Sequence, residues 1–152
     1  MKFAFQWLRS IVFIVTMYLA MVVVATIGVP FTLANRNAAY RVIHIYVGIL
    51  RWLAAVIVGL KSEIRGPVPQ GEVIIASKHQ SFFDIIMVAG AVPRPKFIMK
   101  KQLKRTPIIG FYAKAIGAIP VDRGKRGQAI KQMLADVEAG RGNPEQLIIF
   151  PQ

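Results

Sequence analysis

The chain has 152 residues, room for one domain and little beyond it, and is 55% hydrophobic with a mean hydropathy of +0.48. Lys and Arg total 20 against seven Asp and Glu, a formal charge of +13 that suits partners carrying phosphate, whether nucleic acid, anionic lipid or a phosphorylated substrate. The absence of Cys excludes disulfides, thiolate nucleophiles and thiolate-bound zinc, and two His argue against a metal site built from protein ligands alone.

Residues 11–34 run without a charge, and Lys2 and Arg9 precede them. As a helix this run is about 36 Å long, enough to cross a bilayer. No small-x-small cleavage site follows a short apolar core, so the segment reads as a retained membrane helix that Pro30 should kink or end. A polar break at 35–41 leads to a second apolar stretch, 42–60, interrupted by His44 and Arg51. A charge at mid-membrane costs about 2.5–3.5 kcal/mol on insertion scales. This stretch is therefore expected to lie at the interface or to form the returning arm of a hairpin. His44, alone on an apolar stretch, reads as an ordinary structural histidine. Basic residues flank the first helix on both sides, so charge does not fix its orientation.

From Lys61 the character changes. Gly66-Pro67, Pro69 and Gly71 mark turns, and short strand-like runs then alternate with helical ones. Strands are expected at 73–76, 96–99, 118–121 and 146–150, and helices at 81–91, 107–115 and 126–139. The last helix has Ile130, Met133, Leu134 and Val137 at i, i+3, i+4, i+7, with Gly140 as its stop. Alternation of this kind predicts an α/β sheet. The expected division is residues 1–60 as membrane helices and 61–152 as the α/β domain.

The run Ser77-Lys78-His79-Gln80-Ser81-Phe82-Phe83-Asp84 follows a buried-looking strand and opens a helix. Five residues along one helix turn by about 140°, so His79 and Asp84 meet only if the histidine sits on the loop and the carboxylate in the first helical turn. A carboxylate suits that terminus. It can orient one imidazole nitrogen and leave the other as a base for a hydroxyl attacking a thioester. The plainer reading has His79 as a loop residue and Asp84 or Ser81 as a helix cap. Ser81 also raises a Ser-His-Asp hydrolase, but no Gly-x-Ser-x-Gly surrounds any serine, and the capping role is the expected one. Between Arg94 and Lys131 stand eleven Lys or Arg and one acid, Asp122. Most read as a solvated or membrane-facing surface. Arg123, following the apolar run 117–121, is placed for a sheet edge, where a guanidinium can grip a phosphate through two parallel bonds.

Three stretches taken in order resemble the 1-acyl-glycerol-3-phosphate acyltransferase family, the bacterial lysophosphatidic acid acyltransferases and their relatives. His79-Gln80-Ser81-Phe82-Phe83-Asp84 resembles the family's His-x4-Asp block. Phe97-Ile98-Met99-Lys100-Lys101-Gln102-Leu103 with Pro107-Ile108-Ile109-Gly110 resembles the basic segment before the second block, and Gly117-Ala118-Ile119-Pro120-Val121-Asp122-Arg123 the second block itself. The resemblance covers about residues 61–152. It implies a mixed sheet flanked by helices behind an N-terminal two-helix membrane motif. His79 would be the base, Asp84 its orienting group, and Arg123 and Lys100 the holders of the acceptor's phosphate. The acyl group would come directly from acyl-CoA or acyl-carrier-protein, with no other cofactor and no metal, to a lysophospholipid in the membrane. It would place the enzyme at the inner membrane with the catalytic domain on the cytoplasmic side. The family's third block reads Phe-Pro-Glu-Gly-Thr-Arg, whereas this sequence reads Phe150-Pro151-Gln152. That departure implies a C-terminally truncated domain, inactive as it stands, with 146–150 left as an exposed sheet edge. The rival readings are another lysolipid or glycerol-3-phosphate as acceptor, and a membrane-anchored module that binds anionic lipid without chemistry. A nucleic-acid binder is disfavoured, because the basic tract lacks interleaved aromatics and sits behind a bilayer-length anchor.

Overall fold

The computed structural model describes residues 2–121, 135, 138 and 145–150. The chain forms two compact units, Met1–Gly66 and Pro67–Gln152.

The first unit is a helical hairpin. Helix α1 spans Lys2–Ala34 and α2 spans Ala38–Leu53, continued by a wider π-helical turn at Ala54–Val58. Pro30 does not end α1, which runs on for one more turn to Ala34. Proline removes a single amide from a ladder of 33 residues, and the rest of the helix outlasts that loss. The turn is closed by local bonds instead. The Asn35 side-chain oxygen accepts the Asn37 N–H at 2.9 Å, and the Asn35 carbonyl accepts the Ala38 N–H at 2.9 Å. The arms run antiparallel, since Arg9 near the start of α1 donates through Nε to the carbonyl of Ile57 at the far end of the second arm. Of the two roles open to residues 42–60, the returning arm is the one found.

Small side chains let the arms approach. Ala25, Ala39 and Ala54 are buried with Met17, Tyr40, Val47 and Leu50. Two charged or titratable groups within the arms find local partners, whereas the buried Thr32 hydroxyl has none among the described residues. Arg51 donates to the Ser62 hydroxyl at 2.9 Å and to its carbonyl at 3.0 Å, and His44 Nδ1 lies 2.6 Å from the Tyr40 carbonyl. His44 is thus tied to its own helix, as the plain reading expects. The outer faces are apolar, with Phe5, Trp7, Tyr18, Phe31, Trp52 and Val56 all exposed. Both arms, Phe3–Ala34 and Ala38–Val58, are long and apolar enough to cross a membrane. Apolar area of this extent marks the hairpin as the membrane-associating part of the chain.

The second unit is α/β. Strands β1 (Val73–Ala76), β2 (Pro95–Lys100), β3 (Ile119–Val121) and β4 (Gln146–Ile149) form one sheet in the order β1-β4-β2-β3. Every described pairing is parallel, so the mixed character the resemblance implies is not found among the described strands. Parallel neighbours need crossovers. Helix α3 (Phe82–Ala91) joins β1 to β2, and a 3-10 turn at Lys101–Arg105 with helix α4 (Pro107–Ala115) joins β2 to β3. The expected helix at 126–139 lies outside the described residues except for Ala135 and Glu138, which are helical.

Two expectations are corrected here. Strand β4 is not an edge: it pairs with β1 on one side and β2 on the other, and Gln146, Leu147 and Ile148 are buried. The chain returns past β2 to enter the gap beside β1. Conversely, β1 pairs only with β4 among the described strands, and Ile74 is 68% exposed. An apolar run of four does not reveal whether both of its sides are covered.

Gln146, 1% exposed, pins the entry to this arrangement. Its side-chain oxygen accepts the Arg94 N–H at 2.8 Å, its amide donates to the Gly71 carbonyl at 2.7 Å, and its own backbone N–H reaches the Arg94 carbonyl at 3.0 Å. One side chain therefore ties together the approaches to β1, β2 and β4. Beside it the buried Lys96 ammonium meets Glu145 at 3.0 Å. Gly110 fixes α4 against the 3-10 turn, because a Cβ there would lie 2.3 Å from the Lys104 carbonyl oxygen. Replacing Gln146 with Leu keeps the volume and removes both side-chain bonds. We expect a loss of about 1–3 kcal/mol, the usual cost of stranding a buried polar partner, read as a lower denaturation midpoint of the whole chain in nanodiscs. An unchanged midpoint would show that the amide does not hold the strands.

Candidate active site

Because the strands are parallel, their carboxyl ends share one edge of the sheet, the edge at which open α/β sheets bind ligands. Ala76 at the end of β1 leads through Ser77 and Lys78 to His79. Lys100 ends β2, Val121 ends β3, and Phe150 follows β4. The register aligns Ala76 with Ile149 and Phe97 with Ile148. Lys100 lies three residues beyond Phe97, at the carboxyl end of its strand. Lys100 is exposed there. Arg123 lies outside the described residues.

Ser81 is the N-cap of α3, with extended φ and ψ of −154° and 165°. Asp84 occupies the third helical position and reaches back across the cap. Its Oδ2 accepts the backbone N–H of Gln80 at 2.5 Å and of Ser81 at 2.6 Å, and its Oδ1 accepts the Ser81 hydroxyl at 3.2 Å. The two backbone N–H groups, Gln80 first, hold the Asp84 carboxyl below its ordinary range, with smaller help from the Ser81 hydroxyl and His79. The helix N-terminus favours the same charged form. Asp84 is thus a fixed anion.

His79 stands beside it on the loop. Its Nδ1 lies 3.8 Å from Asp84 Oδ2, within ion-pair range and beyond a hydrogen bond. The stand-off has a physical cause: Oδ2 already accepts two N–H bonds, which fills its acceptor capacity. Both side chains remain open to solvent, at 40% for His79 and 30% for Asp84. On its other side the imidazole packs on Phe150, with ring centroids 4.9 Å apart and planes tilted by 44°. The loop-and-first-turn placement inferred from the spacing is the one found. The Ser81 hydroxyl is directed to Asp84, and its capping position matches the expected role. The geometry offers a partly exposed imidazole flanked by an anion, a pairing suited to proton abstraction from a hydroxyl.

Sequence reading misses two roles, one at the site and one at the opposite end of the sheet. Phe150 carried no signal beyond its place in the Phe-Pro pair. Lys96 was grouped with a solvated basic tract and is instead a buried ion-pair partner.

The profile of the family described as Acyltransferase matches residues 60–152. A 1-acyl-sn-glycerol-3-phosphate acyltransferase of Pseudomonas aeruginosa is 27% identical over 103 residues, covering 66% of this chain and 40% of that protein. One of the same description from Saccharomyces cerevisiae is 32% identical over 80 residues, covering 52% and 26% respectively. A lyso-ornithine lipid O-acyltransferase of Pseudomonas aeruginosa is 31% identical over 104 residues, covering 66% and 39%. The chain thus spans two fifths or less of each of these relatives. No solved structure matches it.

The lowered Asp84 pKa has a definite sign. The stability it contributes is complete above the unfolded carboxylate value, about 3.9, and is lost as pH falls through the lower folded value. Protection of the Gln80 and Ser81 amides in hydrogen exchange should therefore persist below pH about 4 and collapse only at more acid pH. Asp84→Asn should show weaker protection at neutral pH and no acid step; an acid step that survives in Asp84→Asn would assign it to another group. His79, Asp84 and Lys100 all fall within the matched stretch, which covers more than half of the sequence, and the chain belongs to the Acyltransferase family.

Proposed function

We propose that the protein carrying this chain is a membrane-bound O-acyltransferase that moves a fatty acyl group from acyl-CoA or acyl-carrier-protein to the free hydroxyl of 1-acylglycerol-3-phosphate, giving phosphatidic acid. The observation that carries this reading is the His79–Asp84 pair at the carboxyl edge of a parallel sheet, with Asp84 held as an anion. Names of the relatives support the reaction class.

In the proposed step, His79 takes the proton of the acceptor hydroxyl while Asp84 steadies the imidazolium that forms. The oxygen attacks the thioester carbonyl, the C–S bond breaks, and the departing thiolate recovers the proton from His79. No acyl-enzyme is needed. Lys100 and Arg123 are the proposed phosphate holders, with Lys100 acting as a point charge and Arg123 as a bidentate fork. The apolar hairpin seats the domain at the inner membrane, cytoplasmic face, where the acyl chains of acceptor and product remain in lipid. Residues 1–60 serve as the anchor and 61–152 as the part of the catalytic domain present.

One observation favours a second acceptor: the relative named for lyso-ornithine lipid has a similar identity over a similar stretch. A lysolipid without a phosphate would leave Lys100 and Arg123 with less to hold.

The intact protein in nanodiscs, offered labelled acyl-CoA or acyl-carrier-protein with a panel of lysolipids, tests both. His79→Ala should lower turnover by about 10²–10⁴-fold, the range for removing a general base, with membrane association unchanged. Ser81→Ala should retain most of the rate; complete loss there would favour a serine nucleophile. Salt-sensitive liposome binding with no turnover on any acceptor would favour the non-catalytic module. In the same panel, Lys100→Ala should raise KM selectively for phosphate-bearing acceptors. An equal effect on acceptors without phosphate would remove Lys100 from phosphate binding.

A further inference from the structure

Asp84 is held by three bonds, whereas His79 sits on an irregular loop and is 3.8 Å from the nearest carboxylate oxygen. A fixed acceptor does not by itself orient a ring it does not bond. The ring needs a second support, and the structure offers an aromatic one. The Ser77 N–H donates to the Ile149 carbonyl at 3.0 Å, so the backbones leaving β1 and β4 remain side by side past the last strand pair. Phe150 is the next residue of β4's exit, and its ring meets the imidazole at 4.9 Å, within the range of aromatic pairs. Phe150 is half-buried, with one side of its ring turned to His79.

We propose that Phe150 is a positioning residue, an aromatic shelf that holds the His79 imidazole at the angle from which it works, and that insertion of β4 is what delivers this shelf. The proposal rests on the reading of His79 as the general base. Phe150 has no group to donate or accept a proton, so it acts only through the ring it supports. It also gives the interior place of β4 a consequence for the site: the strand that joins β1 to β2 also carries the contact that aligns the base.

The chain contains two histidines, His44 and His79, and His44 is tied to the hairpin helix. Histidine labelled at Cε1 therefore yields two resonances from this chain in nanodiscs, assigned with His79→Gln. Phe150→Leu should move the His79 resonance, since the neighbouring ring current is lost, and leave that of His44 in place. In the acyl-transfer assay of the intact protein, kcat should fall about ten-fold, as expected for modest misplacement of a catalytic group, with KM for the acceptor within about two-fold. Phe150→Tyr should restore both the resonance and kcat. An unmoved His79 resonance in Phe150→Leu, or equal loss of kcat in the Leu and Tyr variants, would overturn the shelf while leaving the base assignment intact. A moved resonance combined with full activity of His79→Ala would instead sink the base assignment, and the shelf with it.

Discussion

Parallel pairing of β4 with both β1 and β2 is the constraint on which the α/β unit depends. Without that strand, β1 has no described partner, and the loop bearing His79 has no neighbour to run beside. The strand is held at its start by polar contacts and along its length by apolar ones. Gln146 fills three hydrogen-bonding roles at the entry, Lys96 and Glu145 neutralise each other beside it, and Leu147 and Ile148 supply buried area. Buried amides and ion pairs of this kind add little net energy but punish any other alignment, because a shifted strand would strand each of their partners. The opposite end of the same strand carries Phe150 to His79. Structural demands thus gather at one end of the sheet and chemical ones at the other.

Charge is handled differently in the two units. In the hairpin, Arg9 and Arg51 turn to backbone and hydroxyl oxygens near its base, so these two charges are met without a carboxylate. In the α/β unit the decisive charge is negative. Asp84 is one of seven acids in a chain of net charge +13, and it is spent on capping a helix and facing an imidazole. The same three hydrogen bonds serve both purposes. They keep the carboxylate ionised and they remove its freedom to follow the histidine, which explains why the pair is close and unbonded.

Much of this was legible beforehand. The spacing of His79 and Asp84 demanded a loop-to-helix corner, and Ser81 announced the cap. The apolar runs and the turn residues between them gave both arms of the hairpin, and four short strands fell within a residue of their expected ends. These features depend on neighbours a few residues away: helix periodicity, capping and turn chemistry act within one or two turns of backbone. Of the kink or end expected at Pro30, the end is not found, because the remaining helix decides the outcome there.

The sequence by itself determined the two classes of segment, the corner that brings a base to an acid, and the apolar character of the anchor. The tertiary structure alone decided that β4 is interior and β1 peripheral among the described strands, that Gln146 serves the approaches to strands 52 and 75 residues upstream, that Lys96 is buried, and that Phe150 packs on His79. The reason is strand order. A parallel sheet joins segments through crossovers, each strand's sequence reads much the same in the middle as at the rim, and only the complete set of pairings fixes which residues meet.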